Sequence, residues 1–160
     1  MNDDTEKSAR LLTVGWREWI ALPDLALPRL KAKVDTGART SALHTFELDP
    51  YRDGGELRVR FGMHPKQRNA TEVVYADAAV TDRRTVSDSG GHREERFVIT
   101  TDVELGGRRW PIELTLTDRD TMLFRMLLGR SAMNGRLCVD PSLSYCCGRP
   151  PKRRRHSGKA

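Results

Sequence analysis

Short runs that alternate apolar and polar residues, each cut off by glycine, proline or aspartate, constrain this chain more than any other feature. Leu30-Lys31-Ala32-Lys33-Val34 and Leu57-Arg58-Val59-Arg60-Phe61 repeat with a period of two. That is the period of a strand with one buried face. Residues 12–14, 18–21, 73–76, 79–81, 95–100, 103–105, 110–116, 126–128 and 137–139 read as further short strands. Residues 41–48 read as one extended stretch, with Leu43, Thr45 and Glu47 on one face and Ala42, His44, Phe46 and Leu48 on the other. Asp53-Gly54-Gly55 and Gly106-Gly107 are turns between neighbouring strands. Pro23 and Pro28 bracket a loop, and residues 87–91 form a soft, turn-rich tip. Helical signal is confined to residues 131–134, with Gly135 as the stop. The expected fold class is all-β, a small closed barrel with one short helix near the C-terminus.

Bulk properties bound the rest. With 38% hydrophobic and 31% charged residues, 160 residues suffice for one modest core. The expected organisation is a flexible N-terminus over 1–10, a folded domain over 11–148 and a basic disordered tail over 149–160. The tail carries Lys152-Arg153-Arg154-Arg155-His156 and, beyond Cys147, no apolar residue but the final alanine. Such a tail offers contact with RNA or a ribosome through phosphates. No apolar run is long enough for a bilayer, and no apolar signal core follows the polar start, so a cytoplasmic protein without a membrane partner is expected. Cys138, Cys146 and Cys147 are odd in number and include an adjacent pair, which suits reduced thiols rather than a disulfide framework.

The chemistry centres on Val34-Asp35-Thr36-Gly37-Ala38. An apolar strand delivers one carboxylate to a tight loop, Gly37 lets the backbone bend, and the Thr36 hydroxyl can hold the loop by hydrogen bonds. An Asp-Thr-Gly triplet alone says little, because turns use these residues for structural reasons. Met126-Leu127-Leu128-Gly129-Arg130 adds weight.

Together the two segments resemble the retropepsin pattern, in which an apolar-apolar-Gly-Arg segment packs behind an Asp-Thr-Gly-Ala loop. The stretch from Lys33 to His44, with 96–99, 110–119 and 126–130, narrows this. It resembles the bacterial retropepsin-like family labelled ATP-dependent zinc protease, a RimK-associated aspartic endopeptidase group. The likeness runs over residues 14–145. It implies a homodimer in which Asp35 of each copy faces its twin. The pair shares a proton, activates water and hydrolyses a peptide bond. Thr36, Gly37 and Ala38 shape the loop, and Gly129 and Arg130 support it.

Arg39 stands where viral retropepsins have an acidic residue. It reads either as a cleft cation favouring acidic substrates or as a surface ion pair. Arg130 must therefore find another partner, with Asp140 and Glu113 as candidates. His44 reads as a substrate-binding residue or as a packed core histidine. Arg93, with Arg83, Arg84 and Arg96, flanks the 87–91 tip, a candidate flap. Trp16, Trp19 and Trp110 read as core or dimer-interface residues. Relatives in this family occur beside RimK-type ligases that add glutamates to a ribosomal protein, which implies an acidic or glutamylated protein substrate. No His-Glu-x-x-His motif, Cys-x-x-Cys motif or Walker loop is present, so no metal and no cofactor is expected. Two other readings share these residues: a non-catalytic module docking on ribosome or RNA, and a zinc-dependent peptidase.

Overall fold

A computed structural model describes residues 10–67, 69, 71–87, 90–118 and 123–149. The expected flexible start before Arg10 and the basic tail after Arg149 lie outside the described residues, as do parts of the 87–91 tip and of the 118–125 stretch.

Among the described residues, twelve strands, a 3-10 turn at Pro23–Leu25 and one short α-helix follow in order. They are β1 Leu12–Val14, β2 Arg17–Leu22, β3 Leu27–Val34, β4 Ser41–His44, β5 Glu47–Asp53, β6 Glu56–Met63, β7 Val74–Ala79, β8 Asp82–Ser87, β9 Arg93–Leu105, β10 Arg108–Thr117, β11 Met126–Leu128, helix α1 Arg130–Met133 and β12 Leu137–Val139. The main sheet runs β10-β4-β11-β3-β2-β9-β8, and β10 pairs with β9 as well. That second pairing closes the sheet into a barrel, with β8 added outside the ring on β9. Closure leaves the ring strands no free edge. β5, β6 and β7 form a separate antiparallel sheet, and β1 pairs in parallel with β12. The all-β barrel with one short helix near its C-terminus is thus the fold.

Alternation explains the core. In β3, Leu30, Ala32 and Val34 are buried while Lys33 is exposed. Ile99, Leu114, Leu116, Met126 and Leu128 pack with them. Gly106 and Gly107, at φ 59° and 78°, turn β9 into β10 in a backbone region that side chains disfavour.

Four local expectations are corrected. Ala79 ends β7, and Val80 and Thr81 link it to β8 rather than forming a strand of their own. Pro28 lies within β3, exposed, rather than closing a loop; its pyrrolidine needs no ladder donor there. The stretch 41–48 is two strands, broken where the chain leaves the ring. The Thr45 amide donates to the Thr117 carbonyl and the Phe46 amide to the Gly62 carbonyl, so consecutive residues belong to different sheets. Every residue from Ser41 to Thr45 is buried, so the two-face division fails there. Residues 93–105 are one long strand rather than two.

Candidate active site

β3 and β11 run in parallel, with Val34 beside Leu128. The Asp35 amide extends this pairing by donating to the Leu128 carbonyl at 2.9 Å. The chain then leaves the sheet. The Ala38 amide returns to the Asp35 carbonyl at 3.3 Å, and the Gly37 amide donates to Asp35 Oδ1 at 2.9 Å. This last bond fixes one carboxylate oxygen of Asp35. Asp35 itself is half-buried, and Thr36 and Gly37 are exposed. The carboxylate therefore stands on an ordered loop at the barrel surface.

Gly129 and Arg130 hold this loop from behind. The Gly129 amide donates to Ser41 Oγ at 3.0 Å in a buried contact. The Arg130 amide donates to the Ala38 carbonyl at 2.8 Å, and the Ser131 amide to the Arg39 carbonyl at 2.9 Å. Arg130 Nη1 donates to the Thr36 carbonyl at 2.8 Å. The brace on Thr36 is its carbonyl, where the sequence pointed to its hydroxyl. Neither Asp140 nor Glu113 is the partner of Arg130. Asp140 accepts from the Ser142 amide and hydroxyl, and Glu113 is taken by Arg84. Gly129 must be small: a Cβ there would stand 2.6 Å from the Thr40 carbonyl carbon.

Arg39 is exposed next to the loop. Arg84 on β8 makes a two-pronged pair with Glu113 on β10, at 2.8 and 2.7 Å, and also bonds Asp82 at 2.8 Å. The hydrogen bonds from Arg84 hold the Glu113 carboxyl below its ordinary value, and the Arg39 charge lowers it a little further. The pair ties the β8–β9 hairpin to the strand that lies beside Ser41. Arg93 is exposed and pairs in register with Ser87 near the hairpin tip. His44 is 5% exposed, at the other end of β4 from the loop, its amide bonded to the Arg125 carbonyl at 2.8 Å. Asp35, Thr36, Gly37, Ala38, Arg39, Gly129 and Arg130 are thus brought together; His44 and Arg93 are not part of that group. Trp110 is buried and donates to the Ala132 carbonyl at 3.0 Å, as a core residue should. Among the described residues, no three His, Cys, Asp or Glu side chains gather as metal ligands would.

Glu18 escaped the sequence reading. It is fully buried and accepts from the amides of Gly15 at 2.7 Å, Cys146 at 2.9 Å and Cys147 at 3.2 Å. This clamps the last described segment against the β1–β2 turn. In the same turn, the Trp16 carbonyl receives the Val34 amide, one residue before Asp35. The available signal was a glutamate at a core position of the alternating Arg17–Leu22 strand. Burial, and after it the Glu18 charge, raises the Cys147 thiol to about 11.

Known proteins resemble this chain. A crystal structure of Lpg0085, a Legionella pneumophila protein of unknown function, superposes with a TM-score of 0.69 at 26% identity, covering 85% of this chain and 98% of that one. A probable alpha-L-glutamate ligase of Shewanella pealeana is 46% identical over 135 residues, which is 84% of this chain and 30% of the ligase. Its counterpart from Parasynechococcus marenigrum is 45% identical over 139 residues, again 30% of its length. The chain therefore spans about a third of these relatives. The family model described as retropepsin-like aspartic endopeptidase RimB matches residues 13–150. With that match over nearly the whole described barrel and the Asp35 loop seated on Gly129-Arg130, the chain belongs to the RimB-like family of retropepsin-like aspartic endopeptidases.

Proposed function

We propose that the protein is an aspartic endopeptidase that works as a homodimer, with Asp35 of each copy forming one catalytic pair. The observation that carries this is the Asp35 loop itself: a half-exposed carboxylate, fixed by the Gly37 amide and seated on Leu128 and Arg130. The sequence contains this loop once. Hydrolysis by paired carboxylates needs two, so a second copy supplies the other. Two carboxylates in contact share one proton, because like charges so close do not both ionise. The ionised partner draws a proton from water as it attacks the peptide carbonyl. The protonated partner donates to the carbonyl oxygen, and the pair returns its proton to the leaving amine. Thr36, Gly37 and Ala38 set the loop, and Gly129 and Arg130 support it.

The substrate we propose is a protein with an acidic or glutamate-bearing segment. Arg39 beside the loop, and Arg93 and His44 farther from it, are the residues we propose to meet a bound chain. The ligase names of the relatives agree with a glutamate-bearing substrate. The test uses purified protein with a Glu-tailed peptide and its Lys-tailed twin, alongside Asp35→Asn. Cleavage should favour the Glu tail, survive chelators and vanish in Asp35→Asn. Cleavage that persists in Asp35→Asn would sink the aspartic mechanism. Sedimentation should find the dimer at the concentrations where cleavage occurs.

A further inference from the structure

Arg29, Lys31 and Lys33 alternate along β3 with its buried residues, so they share one face, on the strand that ends at Asp35. Beside this face lies a cleft of about 930 Å³, lined among others by Arg17, Trp19, Lys31, Lys66 and Arg149. Among the described residues, the only carboxylate in its lining is Glu72, which Lys66 engages at 3.0 Å.

Three of the other cations, Lys31, Arg149 and Arg17, are held on aromatic rings. Lys31 Nζ lies 5.1 Å from the Trp19 ring centre and donates to Gln67 Oε1 at 3.1 Å. The Arg149 guanidinium lies 4.7 Å from the same ring. The Arg17 guanidinium lies 4.5 Å from Trp16 and 4.8 Å from Tyr145. Arg17 Nε is buried and has no hydrogen-bond partner among the described residues. Stacking against rings fixes long side chains before any ligand arrives, which removes part of the entropy cost of binding. The groove thus presents pre-positioned positive charge with little negative charge of its own.

We propose that this cleft is a docking site for a carboxylate-rich peptide segment, separate from the Asp35 loop and leading to it. The proposal rests on the endopeptidase reading for its purpose, and on the cleft alone for its binding. A peptide fits better than a nucleic acid. Single strands are held largely by stacking of bases on aromatic faces. Here Trp19 and Tyr145 already carry cations, so the cleft offers charge rather than free rings. Lys31 precedes Asp35 by four residues, which in extended chain is ~13 Å. An acidic tail lying along β3 would therefore place a bond only a few residues away at the Asp35 loop. Such a site would raise the local concentration of acidic substrates without touching the reacting atoms.

The experiment measures fluorescence anisotropy of a fluorescein-labelled hexaglutamate peptide on full-length Asp35→Asn protein, so that no cleavage intervenes. Adding Lys31→Gln and Arg149→Gln together should weaken binding at least about tenfold, and rising salt should weaken the parent's binding. Each single substitution should give an intermediate loss, which keeps the test valid if the double variant folds poorly. Neutralising Arg153, Arg154 and Arg155 to serine should change binding by no more than about threefold. Unchanged binding in the Lys31/Arg149 variant, or loss only in the tail variant, would overturn the proposal. So would an oligouridylate that binds the same cleft more tightly than hexaglutamate. In the Asp35 parent, the double substitution should raise KM for the Glu-tailed peptide about tenfold with kcat within about twofold. Hexaglutamate bound through Lys31 and Arg149 by a protein that cleaves nothing would leave the docking site standing and remove the endopeptidase reading instead.

Discussion

Gly129→Ala tests the seat of the Asp35 loop. The backbone at Gly129 is extended, with φ −95° and ψ 174°, so alanine is free to adopt it and any cost is steric. The added Cβ would meet the Thr40 carbonyl carbon at 2.6 Å, its oxygen at 2.8 Å and the Ser41 nitrogen at 2.9 Å. Carbon contacts settle at ~3.5–4.0 Å, so the two backbones must separate by roughly 1 Å. All three atoms belong to main chain, so no side chain can swing aside. The separation stretches the buried Gly129–Ser41 hydrogen bond of 3.0 Å and the Arg130–Ala38 bond of 2.8 Å. Overpacking costs ~1–3 kcal/mol. Weakening a buried hydrogen bond adds ~1–2 kcal/mol. The total of roughly 2–5 kcal/mol corresponds to a fall in Tm of about 5–15 °C for a chain of this size. Differential scanning calorimetry gives the first readout. Cleavage by the folded fraction, assayed well below the new Tm, gives the second, and it should fall at least about tenfold because the loop has shifted. A variant with Tm within 2 °C of the parent and cleavage within about twofold would refute the packing argument.

Three further outcomes follow from the same geometry. Glu18→Ala leaves three amides without their acceptor and should lower stability by ~3–5 kcal/mol in urea titration, with partial rescue in Glu18→Gln. Glu113→Gln should cost only ~0.5–1 kcal/mol at pH 7, because the Arg84–Glu113 pair is part-exposed. The folded carboxyl lies below its ordinary 4.5, so the pair's contribution is present above that value and lost as pH falls through the folded one. Stability curves of variant and parent should therefore converge in acid, and a constant gap would contradict the pairing. Cys147, with its thiol near 11, should alkylate at pH 8 roughly ten- to a hundredfold more slowly than a small-molecule thiol, as timed iodoacetamide labelling and mass spectrometry would read.

Much of the barrel was legible because its signal is local. The limits of β1, β11 and β12 match the apolar triplets read from sequence, and the glycine pairs mark the hairpin turns. β8 was legible only as the flank of a tip. It is an edge strand on the outside of the ring, so it carries Arg83 and Arg84 with Asp82 and has no core-facing rhythm to read. Ser41 to Thr45 misled for the opposite reason: every position is buried, and alternation vanishes. The Asp35 loop and its Gly129-Arg130 support were visible as two motifs in the right order. The partner of Arg130 was not, because a backbone carbonyl carries no residue identity. Glu18 was invisible as a clamp, since its three bonds go to amides, two of them on residues far away in sequence.

The bonds that seat Asp35 also impose a schedule on synthesis. Arg130 reaches Thr36 across 94 residues, Gly129 reaches Ser41 across 88, and Cys147 reaches Glu18 across 129. The Asp-Thr-Gly loop leaves the ribosome about ninety residues before Gly129 and Arg130, so these distant supports do not exist until β11 and the helix have emerged. Pairings of such separation form slowly, after loop closure has been overcome. A nascent or C-terminally clipped chain ending before residue 128 therefore carries the acid without its mount. The mount of the Asp35 loop is thus withheld by topology until β11 and the helix have been made.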